Sequence, residues 1–367
     1  MGKVAAVMTA EQNKTVPYYF SDTFSERVSI YKIWLTIMVV FIHSYSEGIN
    51  FGSGSIVLDV PAWLETVKFV VSQSISRCAV PAFFMISAIF LYRKDFCWKT
   101  NIQKKLKTLM VPYLLLNSFW IVFYFTCQHI PVLSNYFSNP DNMIAQWTLR
   151  DWLEGYGIFA ECPILYPLWF VKYLFVLNVL AMPIRKLLEK APRFFLAVLL
   201  LVWLFCASSS VTQAICFWGM GCIFCILPIT PEQVPARKGW IAVSYVLLLG
   251  VSAAVRSTSV GGFVNHLGIL VGILFWYVLF TDFQNPRIKK TLIGLSRYTF
   301  PVFIFHEMYL TIFQKLAGKV LPQTPAFQLL QYVAIPVVII VYCLVLSMVL
   351  ERFLPKLYGL LTGNRKR

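Results

Sequence analysis

A lysine and a histidine lie eleven residues apart in the first long apolar segment of the chain, at Lys32 and His43. Eleven helical residues make about three turns, so the two side chains are predicted to share one helix face. At about 1.5 Å of rise per residue, they would lie roughly 16 Å apart along the axis. Titratable groups are costly inside a bilayer and usually mark a site or a pathway. The pair therefore indicates an integral membrane enzyme or transporter.

Glu47 follows His43 by four residues, a spacing that brings two side chains together on a helix. A carboxylate that orients and polarises an imidazole is the usual support for a general base. The sequence therefore predicts His43 as a catalytic residue with Glu47 as its orienting partner. The alternative for Glu47 is a simple cap of the span at the lipid headgroups.

A second candidate, Arg77, lies deep in the next apolar segment. Arg93 marks the predicted cytoplasmic end of this segment. At about 1.5 Å of helical rise per residue, Arg77 lies roughly 24 Å farther into the membrane, near the depth of His43. Arginine stays protonated and requires an anionic or carbonyl partner. We expect Arg77 to pair with Glu47 or to stabilise a developing oxyanion.

Three more polar residues inside apolar segments, His306, Glu307 and Lys172, are predicted to line a substrate path. Adjacent helical side chains diverge by about 100°, so His306 and Glu307 are not expected to face one point together. His306 is favoured as the lining residue, with Glu307 pairing with a neighbouring helix. The sequence has no set of histidines and cysteines at metal-ligand spacing, so no metal is expected.

The composition predicts an all-α, polytopic integral membrane protein. Of 367 residues, 58% are hydrophobic and 13% charged, and the mean hydropathy is +0.69. Apolar runs of about 20 residues recur without the alternation of a transmembrane barrel. About ten transmembrane helices are predicted, over residues 29–47, 67–91, 108–129, 164–183, 194–210, 212–228, 239–255, 262–281, 298–317 and 327–350.

Lysine and arginine concentrate in alternate loops, which predicts that both termini are cytoplasmic. The same distribution explains the net charge of +16 without nucleic acid, since the basic clusters flank spans. The predicted organisation is a cytoplasmic segment at 1–28, one membrane domain at 29–350 and a basic cytoplasmic tail at 351–367. Residues 130–163 are expected to form a partly ordered cap on the outer side.

Five motifs, taken in order along the chain, resemble the acyltransferase family 3 of polytopic membrane acyltransferases. They are Lys32 with His43, the run from Arg77 to Ser87, the run from Lys104 to Tyr113, Leu168-Trp169-Phe170, and the run from Phe303 to His306. The motifs cover almost the whole chain. One departure is Lys32, where the family often has arginine, so the bidentate contact that a guanidinium makes with phosphate is lost while the charge is kept.

This resemblance implies transfer of an acyl group, with acetyl expected, from cytoplasmic acyl-CoA to a hydroxyl of an extracytoplasmic carbohydrate. It places the protein as a multi-pass protein of the bacterial inner (plasma) membrane. His43 would be the general base or an acyl carrier, Arg77 would stabilise the oxyanion, and Glu47 would orient the histidine. The candidate contacts for the donor's phosphates are Lys32, Lys104, Lys105 and Lys107.

Two alternatives stay open at this point. The positive-inside rule alone explains the three lysines of the 104–107 cluster equally well. A transporter could use His43, Arg77, His306 and Glu307 as a proton- or substrate-coupled path. Secondary transporters often show inverted repeats with paired broken helices, and the sequence has no such symmetry.

Overall fold

The computed structural model describes residues 21–45, 48–51, 54–57, 59–138, 142–206, 209–227, 229 and 238–364. Helices dominate this part of the chain. Numbered in order, they are α1 (Asp22–Ser44), α2 (Ala62–Tyr92), α3 (Trp98–His129), α4 (Pro131–Phe137), α5 (Leu149–Gly155), α6 (Tyr166–Val179), α7 (Ala181–Leu188), α8 (Pro192–Phe205), α9 (Ser210–Ile226), α10 (Lys238–Val255), α11 (Gly261–Leu279), α12 (Pro286–Leu295), α13 (Thr299–Val320), α14 (Pro325–Phe353) and α15 (Pro355–Thr362).

Six of the described helices are long and apolar enough to cross a membrane: α1, α2, α3, α10, α11 and α14. A seventh span results if α6 and α7 are counted as one, although they meet at 66°. The α8 and α9 helices are apolar but shorter. A helix lies in each of the ten predicted ranges, and the prediction of a helical, polytopic membrane protein is confirmed.

One short antiparallel hairpin follows α1, formed by β1 (Gly48–Phe51) and β2 (Gly54–Val57). Its register pairs Gly48 with Val57 and Phe51 with Gly54. The sequence predicted an all-α protein, so the two strands were missed. Strands this short leave only a weak periodic pattern.

The central helix of the fold is α1, which contacts α2 and also α11, α12, α13 and α14. It begins where the Ser21 hydroxyl accepts the backbone N–H of Phe24 at 3.0 Å, the usual arrangement of an N-cap. It ends at Ser44, because Tyr45 has an extended backbone. The eleven-residue step between Lys32 and His43 therefore lies within one uninterrupted helix, as predicted.

The predicted cap between α3 and α6 contains two short helices, α4 and α5. The α5 helix begins with a capping box, in which the Thr148 and Asp151 side chains each bond the other residue's backbone N–H. Farther along the chain, α13 is tied to α4 because Lys315 donates to the carbonyl oxygen of Tyr136 at 2.7 Å. These contacts place the cap beside the helix that carries His306 and Glu307.

Candidate active site

His43 lies one residue before the end of α1, with its side chain only 11% exposed. Its Nδ1 atom is hydrogen-bonded to the hydroxyl of Tyr166, at the start of α6. The same atom lies 3.9 Å from Oε2 of Glu307. The His306 ring packs against it, with 5.1 Å between ring centroids. Two other chain segments, the start of α6 and the middle of α13, thus bring polar side chains to one histidine.

The α13 helix presents both of its adjacent polar residues, His306 and Glu307, to His43. The prediction that only one of them would face the site is therefore wrong. Although the two side chains leave α13 in different directions, the end of α1 lies between those directions, so the imidazole contacts both. Since α1 and α13 pack along each other, this placement depends on their tertiary contact.

His306 is fully buried, with 0% of the residue exposed. Its Nδ1 atom interacts with carbonyl oxygens of its own helix, those of Phe303 at 2.7 Å and Val302 at 3.2 Å. Its Nε2 atom is buried and forms no hydrogen bond within the described residues. One ring nitrogen is thus fixed to the backbone, and the other stays available to a substrate or ligand.

The carboxylate beside the histidine is Glu307, and the predicted partner Glu47 lies outside the described residues. The pairing of Glu47 with His43 stays a prediction. One carboxylate oxygen of Glu307, Oε1, accepts a hydrogen bond from Thr311 at 3.2 Å. That bond fixes the carboxylate, and Oε2 faces His43.

Arg77 lies in an irregular part of α2, where a π-helical turn over Phe69–Ile75 is followed by a 3-10 turn over Ser76–Cys78. Such irregular turns within helices are frequent at functional sites. Its Nε donates to Oε1 of Gln73 at 2.7 Å. Arg77 is exposed, and the Ser76–Cys78 turn that carries it packs against α1, the helix of His43. The observed hydrogen-bond partner of Arg77 is Gln73, whereas the predicted partner Glu47 lies outside the described residues.

Lys172 does not join this cluster, so its prediction as a substrate-path residue is not supported by its placement. The ammonium group instead binds the loop before α6. Its Nζ donates to three backbone carbonyl oxygens, those of Gly157 at 3.2 Å, Ala160 at 2.8 Å and Glu161 at 2.7 Å. The same loop holds Phe159 at a φ of 67°, a conformation that non-glycine residues adopt only when their surroundings impose it.

We expect Lys172→Met to destabilise the protein by about 2 kcal/mol, because three carbonyl oxygens lose a charged donor. Thermal unfolding of the purified protein in detergent measures this change. Acyl transfer measured well below the melting temperature is expected to be reduced by less than about threefold, since Lys172 lies outside the histidine cluster. If Lys172→Met greatly reduced acyl transfer without changing the melting temperature, Lys172 would be a substrate-path residue.

The side chain of Glu161 also fixes this loop, because its Oε1 accepts the backbone N–H of Ser210 at the start of α9. The distance between the two atoms is 2.8 Å. Hydrogen bonds from Ser210 hold the pKa of the Glu161 carboxyl below its usual range. The loop that leads into Tyr166 is therefore attached both to α6 and to α9.

The four predicted donor-binding lysines lie on two helices. Lys32 is half-buried on α1. In α3, Lys104 and Lys107 are exposed and Lys105 is half-buried. The run from Lys104 to Tyr113 lies within α3, which continues from Trp98 to His129 with one π-helical turn over Leu106–Met110.

His43, His306 and Glu307 also form a possible metal-binding set, which the sequence spacing did not predict. Each offers one ligand atom, and these atoms lie within 4.8 Å of one another. Two imidazoles and a carboxylate are a donor set that zinc and other divalent metals accept. The same three groups equally form an acid–base cluster, which needs no metal.

Tyr166 is the main site residue that sequence reasoning missed. It directly precedes Pro167-Leu168-Trp169-Phe170, and a tyrosine at the start of an apolar segment usually indicates only the membrane interface. Gln73 and Thr311 were missed for a similar reason, because neutral polar residues are common near span ends. Only the packing of α6 against α13 identifies the hydroxyl of Tyr166 as part of the site.

Comparison with known proteins gives one family and one similar protein of nearly the same length. The family model described as an acyltransferase domain, that of acyltransferase family 3, matches residues 27–352. The succinoglycan biosynthesis protein ExoH of Rhizobium meliloti (strain 1021) is 23% identical over 365 residues, covering 93% of this chain and 92% of that protein. No solved structure matches the chain.

Proposed function

The chain belongs to acyltransferase family 3, and from that premise we propose that it moves an acyl group from cytoplasmic acyl-CoA to a carbohydrate hydroxyl outside the membrane. The observation that carries the proposal is the position of His43. Its imidazole, on the same helix as Lys32, contacts the buried His306 ring, lies near Glu307 and is hydrogen-bonded to Tyr166. A base and its supporting groups are thus assembled at one end of a helix whose other half carries a cation.

In the proposed reaction, His43 removes the proton of the acceptor hydroxyl as its oxygen attacks the acyl carbonyl carbon. A carbon–oxygen bond forms, the carbon–sulfur bond to CoA breaks, and the proton passes from the imidazole to the leaving sulfur. Glu307 stabilises the imidazolium that forms during transfer. A variant of the mechanism, in which His43 itself carries the acyl group, uses the same residues in two steps.

Arg77 is proposed to stabilise the negative charge that develops on the acyl carbonyl oxygen. A preorganised cationic donor at the position where this charge develops is effective at this task. Gln73 supports the role, because its 2.7 Å hydrogen bond from the Arg77 Nε holds the guanidinium. The turn that carries Arg77 packs against α1, the helix that carries His43.

The donor is proposed to approach from the cytoplasmic side of a bacterial inner membrane, with ten spans and both termini in the cytoplasm. Its phosphates would contact Lys32 together with Lys104, Lys105 and Lys107, and its pantetheine arm would follow the face of α1. The helical rise puts Lys32 and His43 roughly 16 Å apart along the axis, a span that an extended arm could cover. Acetyl is the proposed acyl group.

The acceptor is proposed to be a polysaccharide or its precursor. Support comes from the similarity to ExoH along nearly the full length of both chains, since the name of that protein connects it with the biosynthesis of succinoglycan. The open choices within this class are a lipid-linked sugar and a secreted polymer. Separate extraction of lipid-linked sugars and glycans distinguishes them, because the acyl label is recovered with the acceptor.

We expect Lys32→Arg to keep acyl transfer within about threefold, because the positive charge is preserved. Lys32→Met should raise the KM for the acyl-CoA donor by about tenfold or more, and this increase should become smaller as salt screens the interaction in wild type. Initial rates at several donor concentrations measure both variants. Equal damage from both substitutions would show that the size of the side chain matters more than its charge.

The test of the proposed function uses sealed inside-out vesicles that contain this protein and labelled acetyl-CoA or succinyl-CoA. Envelope glycans and lipid-linked sugars are then extracted separately and counted. Label in either fraction that requires the protein supports transfer across the membrane and identifies both acyl group and acceptor. Absence of label from every donor, in vesicles that contain well-expressed protein, would contradict the proposal. Flux of a glycan in proteoliposomes without any donor would support transport instead.

A further inference from the structure

The carboxylate of Glu307 does not reach His43 directly. Its Oε2 lies 3.9 Å from Nδ1 of the imidazole, whereas a hydrogen bond between such atoms spans about 2.7–3.2 Å. A carboxylate at this distance can act on the histidine through space but cannot fix the direction of its ring. Any orienting hydrogen bond must come from another group.

The hydroxyl of Tyr166 occupies the required position. It is hydrogen-bonded to Nδ1 of His43, the same atom that Oε2 of Glu307 approaches to 3.9 Å. A tyrosine hydroxyl has one proton to donate and lone pairs to accept, so it can serve both neighbours at once. Its ring is held against the imidazole in an edge-to-face contact, with 4.8 Å between centroids.

The remaining neighbour, His306, is poorly placed to take over this task. Its Nδ1 is engaged with carbonyl oxygens of its own helix, at 2.7 Å for Phe303 and 3.2 Å for Val302. Glu307 is itself prepared for a second partner, because Thr311 holds only its Oε1. Its Oε2 is buried, faces His43 and has no hydrogen-bond partner among the described residues.

We propose that Tyr166 is a positioning residue that links Glu307 to His43 in one chain of hydrogen bonds. In this arrangement Nδ1–H of His43 donates to the Tyr166 oxygen, and the Tyr166 O–H donates to Glu307. The proton on Nδ1 leaves the lone pair on Nε2, which is then the atom that accepts the proton of the acceptor hydroxyl. The link rests on the proposed function, because it specifies how the proposed base is held.

This arrangement differs from the usual pairing of a histidine and a carboxylate by one inserted hydroxyl. As Nε2 gains a proton, positive charge develops on the imidazole, and the polarised Tyr166 hydroxyl passes the stabilising effect of Glu307 to Nδ1. No proton has to leave Tyr166 in this process. The phenolic ring therefore has two roles, fixing the tautomer of His43 and fixing the direction of its ring.

The test compares Tyr166→Phe with Glu307→Gln and with the double variant, using acyl transfer in vesicles. Tyr166→Phe keeps the ring and removes only the hydroxyl. We expect it to lower kcat by between about 10-fold and 100-fold, the range found when groups that orient a functional histidine are removed. The KM for acyl-CoA should stay unchanged, because the hydroxyl does not contact the donor.

The double variant distinguishes a link from a merely structural role. If Tyr166 acts through Glu307, the double variant should be no slower than the slower single variant, since either change breaks the same chain. Multiplied losses would overturn the proposal, and so would an unchanged kcat in Tyr166→Phe. The matched control is Tyr156→Phe, which removes a hydroxyl bonded to Ser118 at 2.7 Å elsewhere under the cap and should keep full activity.

Melting temperatures in detergent are measured for every variant, and kcat is compared at a temperature at which all of them are folded. If Tyr166→Phe does not fold, Thr311→Val supplies the second route, because it loosens the same Glu307 carboxylate from its other side. Thr311→Val alone should lower kcat without changing KM. Combined with Glu307→Gln, it should lower kcat no further than Glu307→Gln alone. If wild-type protein and the Tyr166→Phe variant are both fully active, the link through Tyr166 is refuted and the proposed function stands. If wild-type protein is inactive, the proposed function is refuted.

Discussion

Replacement of His43 by alanine is expected to lower acyl transfer by at least about 1,000-fold while the protein stays inserted and folded. The expected size follows from the loss of general base catalysis, which contributes about 100-fold to 10,000-fold, together with the loss of a binding surface for the acceptor. The measurement is label transferred from acyl-CoA to glycan in sealed vesicles, normalised to the amount of folded protein. The cluster around His43 would then be the place where the proton is moved.

The matched control is His129→Ala, which removes a histidine from the exposed end of α3. It should leave the rate within about twofold of wild type. Size-exclusion profiles and melting temperatures of both variants separate a chemical loss from a folding defect. Transfer retained in His43→Ala would refute this residue both as base and as acyl carrier.

Replacement of Glu307 by glutamine is expected to lower kcat by about 100-fold with little change in the KM for the donor. Glutamine keeps the size of the side chain and its contact with Thr311 but removes the negative charge that stabilises the imidazolium. Burial strengthens the effect, because the Glu307 side chain is only 14% exposed and its charge is weakly screened. Initial rates over a range of donor concentrations separate kcat from KM.

Glu154→Gln is the control for this substitution, since Glu154 pairs with Arg150 on the exposed surface of α5 and should tolerate the change. A chelator distinguishes the two possible roles of the cluster. In an acid–base cluster, treatment with a chelator should leave wild-type transfer unchanged. Transfer that is lost on chelation and restored by zinc would instead make Glu307 a metal ligand, together with the two histidines.

The positions of the helices were predictable because the signals behind them are local. Runs of apolar residues of the right length mark the helices, and a helix lies in each predicted range. The step from Lys32 to His43 was likewise predictable, since helical geometry alone puts both on one face of α1. The hairpin after α1 escaped prediction because four residues per strand give too few periods to recognise.

The partner of His43 could not be predicted in the same way. Helical spacing suggested Glu47, which lies outside the described residues. The observed carboxylate, Glu307, is 264 positions away along the chain. Contacts of that separation are set by how helices pack, here by α1 lying against α13.

Lys172 is a second residue whose contacts could not be predicted from the sequence. A charge inside an apolar segment indicates an unusual site but does not say what satisfies it. In the fold this charge is satisfied by three carbonyl oxygens of a neighbouring loop, which only the tertiary structure brings within reach. The sequence by itself thus determined the helical membrane class, the family motifs and the candidacy of His43, because these depend on composition and local spacing. Only the tertiary structure decided that Tyr166, His306 and Glu307 surround His43, because these contacts join distant helices whose packing no single segment encodes.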